Sequence, residues 1–309
     1  MNYLHNPVMI EKVIQGLNII SGGTYVDCTF GRGGHSKNIL DLIGENGKLI
    51  AIDKDSEAEN HARTYFANDN RFSFERNNFS QIIKILEKYN NSQKINGVLL
   101  DLGVSSPQID NPERGFSFQK SGPLDMRMDT NINMTALSWL KKANIDEIKD
   151  VLKTYGEEKY AFKIANSIKE AIDRNMLSTT TDLAKLIQNC YPKNNKSKKN
   201  PATKSFQAIR IFINKELDEL EKILEACLKI IVRGGRIVVI SFHSLEDRMV
   251  KKFINKYSIG DDIPSKMPIL ENSHNLLLKK IKIPVKASED EINANIRARS
   301  ARLRVAEII

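Results

Sequence analysis

Apolar positions in the first hundred residues fall in short unbroken runs separated by amphipathic stretches. Thr24–Phe30, entered from Ser21-Gly22-Gly23, is a short apolar run, Lys48–Asp53 and Ile95–Leu102 have the length and composition of strands buried on both faces, and Arg71–Glu75 is a further predicted strand. Ser36–Ile43, Ser56–Phe66 and Phe79–Tyr89 have helical periodicity. Short strands alternating with helices predict βαβ units and a parallel sheet. The pattern then breaks, because the next convincing buried strand is Arg236–Phe242. One helix suffices to connect neighbouring parallel strands, so the intervening chain predicts an insertion. It opens as a Gly- and Pro-bearing loop, Ser105 to Asp129, and continues as predicted helices Met134–Lys142, Asp146–Tyr155, Glu157–Arg174 and Thr180–Tyr191. After the basic stretch Pro192 to Pro201, a single long helix is predicted, with Phe206, Ile209, Ile213, Leu217, Leu220 and Leu224 on one stripe. A helix over Leu245–Tyr257, a loop over Ser258–Pro268, and two closing strands, Leu276–Val285 and Leu303–Ile308, complete the chain. The expected fold class is α/β: a seven-stranded Rossmann-like sheet with a helical domain inserted between the fourth and fifth strands. The expected limits are 1–113 and 208–309 for the sheet domain and 114–207 for the insert.

Composition narrows the function classes. Hydrophobic residues are 41% of the 309, enough for a real core. No run of about 18 apolar residues is present, which argues against a transmembrane helix. The first residues lack the basic-then-apolar layout of a signal peptide. Cys28, Cys190 and Cys227 stand too far apart for a disulfide framework or a paired-cysteine zinc site, so no metal is expected. Together these predict a cytoplasmic protein with no membrane partner. The net charge of +9 is unevenly placed. Positions 1–113 carry 11 basic and 14 acidic residues, 114–207 carry 17 and 10, and 208–309 carry 19 and 14. A slightly acidic first third followed by two basic ones separates a small-molecule site from a surface suited to a polyanion.

Three strings carry chemistry. In Asp27-Cys28-Thr29-Phe30-Gly31-Arg32-Gly33-Gly34-His35 an acid ends a predicted strand and glycines fill the turn into a helix, an arrangement that lets the backbone approach a ligand. The spacing is not that of a dinucleotide-binding loop, because the third glycine follows the second directly. Asp53 ends the second strand 22 residues after Gly31, where a carboxylate can accept both ribose hydroxyls of an adenosine; a helix cap is the alternative role, and Asp55 could take it instead. Asp101 ends the fourth strand in Leu100-Asp101-Leu102-Gly103-Val104-Ser105-Ser106-Pro107-Gln108. Three strand-end acids at one sheet edge suit a nucleoside bearing a positive centre, as S-adenosylmethionine does. Cys28 is expected to be a packed thiol.

These strings, with Arg114-Gly115-Phe116-Ser117-Phe118, Gly122-Pro123-Leu124-Asp125-Met126-Arg127-Met128-Asp129 and Ile240-Ser241-Phe242-His243-Ser244-Leu245-Glu246-Asp247-Arg248, closely resemble the family of ribosomal RNA small subunit methyltransferase H, also called MraW, over essentially the whole chain. The resemblance implies a class I methyltransferase using S-adenosylmethionine to methylate the exocyclic N4 of a cytidine in the decoding region of 16S ribosomal RNA. It implies Gly33, Gly34 and His35 at the methionine end of the cofactor, Asp53 at the ribose, Phe79 on the adenine, and Asp101 and Gln108 completing the pocket. This chain lacks the Asp/Asn/Ser-Pro-Pro-aromatic string of many amino-methyltransferases, which leaves the acceptor for the N4 proton open. Asp101 ranks first, then Ser105, Ser106 and nearby carbonyls. His243 is a second-rank candidate. Phosphate contacts are expected from the insert, with Arg114, Arg127, Lys193, Lys196, Lys198, Lys199, Lys204 and Arg210 as candidates and Phe116 and Phe118 as stacking platforms. The RNA partner is expected within the small subunit, and the oligomeric state stays open between monomer and dimer. A methyltransferase acting on another RNA or DNA, a nicotinamide oxidoreductase and a non-catalytic RNA-binding protein are the competing readings.

Overall fold

The computed structural model describes residues 7–89, 95–192, 200–259, 276–283 and 285–309. In chain order the first elements are α1 (Ile10–Leu17), β1 (Thr24–Asp27), α2 (Gly34–Leu40), β2 (Lys48–Asp53), α3 (Ser56–Tyr65), β3 (Phe72–Arg76), α4 (Ile82–Lys88) and β4 (Ile95–Asp101). Then come α5 (Ser106–Asp110), α6 (Ala136–Lys142), α7 (Ile145–Gly156), α8 (Ala161–Asp173), α9 (Thr180–Cys190), α10 (Ala202–Asn214) and α11 (Glu216–Ile230). The chain closes with β5 (Ile231–Ser241), α12 (Ser244–Ile259), β6 (Leu278–Ile281), α13 (Glu289–Ala294) and β7 (Arg302–Ile308). Two compact units result: residues 1–103 with 217–309, and residues 104–216. The second unit extends past the expected limits of 114 and 207 at both ends, because α5 and the whole of α10 belong to it.

The first unit is a seven-stranded sheet in the order β3-β2-β1-β4-β5-β7-β6. β1 to β5 pair in parallel, whereas β7 runs antiparallel to both β5 and β6. The side-chain period of two sorts its buried residues onto two faces. Val26, Ile50, Val98, Leu100, Ile237 and Val239 point into one core with residues of α4, α11 and α12. Tyr25, Leu49, Leu99, Val238 and Ile240 point into the other with residues of α1 and α2. That double burial is why the strands read as unbroken apolar runs. Arg233-Gly234-Gly235 form an irregularity inside β5: Ile231 pairs with Ile95 and Arg236 with Gly97, and Gly234 at φ 81° takes up the extra residues. The closing strand expected over Leu276–Val285 is shorter, Leu278–Ile281.

The second unit is helical around its own core, which includes Trp139, Leu140, Ile148, Leu152, Ile164, Ile168, Leu183, Ile187, Phe206 and Ile209. Reciprocal caps set helix starts: in α7 the Glu147 N–H donates to Asn144 Oδ1 (2.9 Å) and the Asn144 N–H to Glu147 Oε2 (2.8 Å). The long helix expected after Pro201 is two helices. Lys215, at φ 51°, is left-handed and ends α10, its N–H capping the carbonyls of Ile211 and Phe212. The continuous stripe misled because its two halves serve different cores: Phe206, Ile209 and Ile213 pack in the second unit and Leu220 and Leu224 in the first.

Candidate active site

Neighbouring parallel strands bring three carboxylates to one edge of the sheet. β1 ends at Asp27, β2 at Asp53 and β4 at Asp101, and the register sets Asp27 opposite Ala51 on one side and Leu99 on the other. Asp53 and Asp101 therefore each stand two residues beyond the level of Asp27, at the carboxyl ends where open α/β sheets bind ligands.

The three acids differ in environment. Asp27 is buried; its Oδ2 accepts from the Ser36 hydroxyl (2.7 Å) and its Oδ1 from the Thr29 N–H (3.1 Å). Burial raises its carboxyl above the ordinary range, opposed chiefly by the Ser36 hydrogen bond. Asp53 Oδ2 accepts from the Gly31 N–H (2.8 Å) and its Oδ1 from the Asp55 N–H (2.9 Å). Burial pushes Asp53 up to about 6 against those two hydrogen bonds. Asp55, not Asp53, caps α3, accepting from the Glu57 N–H at 3.0 Å, so the two roles weighed for Asp53 are divided between neighbours. Asp101 is fixed through its backbone, whose N–H donates to Thr29 Oγ1 at 2.6 Å. Its Oδ2 lies 3.5 Å from His35 Nε2, while its Oδ1 is shielded from solvent with no hydrogen-bond partner among the described residues. His35, in the first turn of α2, is 6% exposed, and among the described residues neither of its ring nitrogens has a hydrogen-bond partner. Buried polar atoms are rarely left unpaired, and a cluster of them at the end of a sheet marks a place for a ligand. Carboxylate oxygens with lone pairs to offer fit a nucleoside that brings hydroxyl donors and a cationic centre, which is the chemistry of S-adenosylmethionine.

The loop that frames this edge is shaped by packing. Gly33, at φ 70°, caps α2; a Cβ there would lie 2.5 Å from Phe66 Cζ and 2.7 Å from Phe30 Cε2. A Cβ on Gly34 would strike Pro7. Phe79 begins a 3₁₀ turn after β3, and the Asn77 N–H donates to the Asp53 carbonyl at 3.0 Å, which holds that turn beside Asp53. Its ring is partly buried against the core. Thr29 and Ser36, which anchor Asp101 and Asp27, carry site roles that the sequence reading did not assign. Their signal was their position in the loop, two and nine residues past the acid that ends β1.

Other expected site residues sit elsewhere. Gln108 belongs to the second unit, where its Oε1 accepts from the Ser105 N–H (2.9 Å) at the start of α5. Arg114 is 8% exposed, with one guanidinium nitrogen donating to the carbonyls of Arg127 and Met128 (3.1 Å each). Arg127 grips Asp125 through Nε (2.7 Å) and Nη2 (2.6 Å) and donates to the Thr130 and Ile132 carbonyls. Arg210 forms a bidentate pair with Glu216 at 2.9 and 2.8 Å. These guanidiniums brace the fold from inside, where the sequence reading expected them on phosphates. Lys204 donates to the Glu157 carbonyl (3.2 Å). Phe118 stacks edge-on against Phe206, and Phe116 lies 5.9 Å below the Arg114 guanidinium, so both aromatics pack inward. His243 closes the turn between β5 and α12: its Nε2 is 3.1 Å from Glu246 Oε1, and Glu246 Oε2 accepts the N–H of Phe242 (2.9 Å) and of His243 (3.3 Å). Lys193, Lys196, Lys198 and Lys199 lie outside the described residues. Cys28 packs in the core, and burial pushes its thiol well above the usual range.

A sheet ordered 3-2-1-4-5-7-6 with the seventh strand reversed, carrying an acid at the end of its first, second and fourth strands, defines a class I methyltransferase. The family model described as the MraW methylase family matches residues 2–309, and the chain belongs to that family. It is 48% identical over 307 residues to the ribosomal RNA small subunit methyltransferase H of Shewanella frigidimarina (strain NCIMB 400), covering 99% of this chain and 97% of that one. It is 48% identical over 303 residues to the protein of the same name from Coxiella burnetii (strain Dugway 5J108-111), covering 98% of each. Among solved structures, the fibrillarin of Aeropyrum pernix in complex with S-adenosyl-L-methionine aligns with a TM-score of 0.43 and 8% identity over 96% of this chain and 73% of that one. No helix among the described residues is long and apolar enough to cross a membrane.

Proposed function

We propose that this enzyme methylates the exocyclic N4 of a cytidine in the decoding region of 16S ribosomal RNA, in the cytoplasm and on the small subunit, with S-adenosylmethionine as donor. The observation that carries the reading is the near-full-length identity of 48% to two proteins named for small-subunit ribosomal RNA methylation. The acidic strand-end site is consistent with it. When bound, the cofactor supplies an electrophilic methyl group on a positively charged sulfur.

The chain's own residues divide the remaining work. The Asp53 carboxylate, ionised above about 6, accepts the ribose hydroxyls, and Phe79 lies against the adenine. Gly33 and Gly34 let the backbone of the α2 turn line the amino-acid end beside His35. The N4 of cytosine is a poor nucleophile because its lone pair is delocalised into the ring. Asp101 Oδ1, shielded and unpartnered, accepts one N4–H hydrogen bond. That bond draws the nitrogen toward tetrahedral geometry and fixes its approach. With S-adenosylmethionine bound, the N4 lone pair would take the methyl as the methyl–sulfur bond breaks and its electron pair returns to sulfur; the amino group, then more acidic, would give its surplus proton to Asp101, which passes it to water. RNA reaches the site with the target base out of its stack, its phosphates held by the insert's lysines, including Lys198 and Lys199. His243, just past the end of β5, is the second-rank candidate on the substrate side.

Mass mapping of small-subunit ribosomal RNA from cells lacking the gene tests the proposal directly. One missing methyl on a cytidine N4, restored by the purified enzyme with S-adenosylmethionine, is the expected result. An unchanged methylation pattern refutes the substrate assignment.

A further inference from the structure

Phe242 is the first residue past β5, and strand register sets its ring beside Asp101. Residues two apart on a strand share a face of the sheet. Val238 and Ile240 of β5 and Leu99 of β4 lie in the core packed by α1 and α2, and Phe242 is partly buried against that same core. Asp101 follows Leu99 by two, so its side chain and the Phe242 ring leave the sheet on one face. Ile240 pairs with Asp101 across the parallel ladder. Phe242 therefore stands one strand over and two residues further out. At ~4.8 Å per strand spacing and ~3.3 Å per residue, its Cα is about 8 Å from that of Asp101.

The surroundings fix this ring and leave part of it open. The Phe242 N–H donates to Glu246 Oε2 at 2.9 Å, and Glu246 is 2% exposed, so a buried carboxylate holds the backbone under the ring. Gly103, just past β4, has φ 96° and carries no side chain; a Cβ there would lie 3.6 Å from Phe242 Cδ2. Any larger residue at 103 would crowd the ring from the β4 side. The ring itself is half-buried. By contrast Phe30, the aromatic after β1, is 3% exposed and enclosed by Phe66, Phe72 and Phe74. The chain between Asp101 and Gln108, Leu102-Gly103-Val104-Ser105-Ser106-Pro107, holds no aromatic, so a flat surface next to Asp101 has to come from another strand.

We propose that Phe242 is the stacking platform for the target base, holding the extruded pyrimidine face-on while its exocyclic amino group meets Asp101. The inference rests on the RNA substrate assigned above and deepens it by naming the surface that receives the base. A base taken out of its stack loses its neighbours, and an aromatic face restores that contact inside the site. The amino group lies in the plane of the base, so clamping that plane sets the direction in which N4 meets an acceptor beside it. Sealing the core under α1 and α2 is the competing role for Phe242. That role needs apolar volume alone, which leucine supplies, and it gives no reason for a half-buried ring beside a glycine at the edge where Asp101 stands.

The test uses the full-length enzyme, small subunits from cells lacking the gene, and the variants Phe242→Leu and Phe242→Tyr. Phe242→Leu keeps apolar volume and removes the aromatic face. It is expected to lower kcat/KM for the subunit about 10- to 100-fold, the worth of one base–aromatic stack, with S-adenosylmethionine affinity and thermal midpoint near the wild-type values. Phe242→Tyr keeps the face and is expected to recover most of that loss. Ultraviolet irradiation of the wild-type enzyme on the subunit, with S-adenosylhomocysteine in place of the methyl donor, is expected to crosslink the target pyrimidine to the peptide containing Phe242. This readout decides the matter if the leucine variant misfolds. Wild-type kcat/KM in Phe242→Leu, or a loss matched by an equal loss of S-adenosylmethionine affinity, overturns the stacking role while the substrate reading stands. Crosslinks from the target base to other peptides only overturn it as well. Failure of the wild-type enzyme to methylate a cytidine N4 in these subunits removes the substrate reading, and the platform with it.

Discussion

His35 Nε2 lies 3.5 Å from Asp101 Oδ2, and neither His35 ring nitrogen nor Asp101 Oδ1 has a hydrogen-bond partner among the described residues. A buried imidazole and a strand-end carboxylate with unmet hydrogen-bonding capacity form a pair whose members depend on each other. Asp101→Asn is expected to lower kcat about 10²-fold while leaving the fold intact, because the amide is isosteric but a poor proton acceptor. His35→Asn is expected to have a smaller effect. The double variant should fall short of the product of the two, with a coupling of about 0.5–3 kcal/mol. Steady-state methyl transfer by the four proteins of this cycle measures it; strictly multiplicative effects show that the two side chains act separately.

Asp53 gives the enzyme a pH signature. Its carboxyl is raised from 3.8 to about 6 by burial. The folded state therefore holds the proton more tightly than the unfolded chain. The stability this confers is complete below about pH 4 and is lost as pH rises through about 6, a change of roughly 3 kcal/mol. Chemical unfolding of wild type and Asp53→Asn across that window should show the wild type losing ground to the variant as pH rises. Ribose binding runs the other way: affinity for S-adenosylmethionine should climb as the carboxylate ionises above about pH 6, and calorimetry at pH 5 and 7.5 reads it. A pH-independent affinity places the ribose contact on another group.

Lys215 carries a left-handed backbone, φ 51°, at the break between α10 and α11. Glycine adopts this conformation without the Cβ penalty, so Lys215→Gly is expected to raise stability by about 1 kcal/mol. A rise of a few degrees in the thermal midpoint at unchanged methyl transfer is the outcome to look for. A fall shows that the lysine side chain contributes more than its backbone costs.

The three cysteines, Cys28, Cys190 and Cys227, are free and buried, and burial raises the thiols of Cys28 and Cys227. A thiol reagent at neutral pH should therefore label none of them in the native enzyme and all three after denaturation. Fast native labelling of Cys28 would mean that the loop after β1 opens in solution.

The alternation of unbroken apolar runs with helical stretches marked β1, β2, β4 and β5, because burial on both faces of a parallel sheet leaves few polar positions within such a strand. The same property placed Asp27, Asp53 and Asp101 at strand ends. A charged side chain interrupts a doubly buried run only where the strand leaves the core. The sequence also announced the insertion, since no crossover needs the length of chain between β4 and β5. Tertiary structure alone decided the rest. One helical stripe cannot reveal that Phe206 and Leu224 face different cores, because periodicity records that a residue is buried and not against what. Nor can a count of arginines separate a phosphate contact from an internal brace. Arg114, Arg127 and Arg210 find carbonyl and carboxylate partners that only folding brings within hydrogen-bond reach.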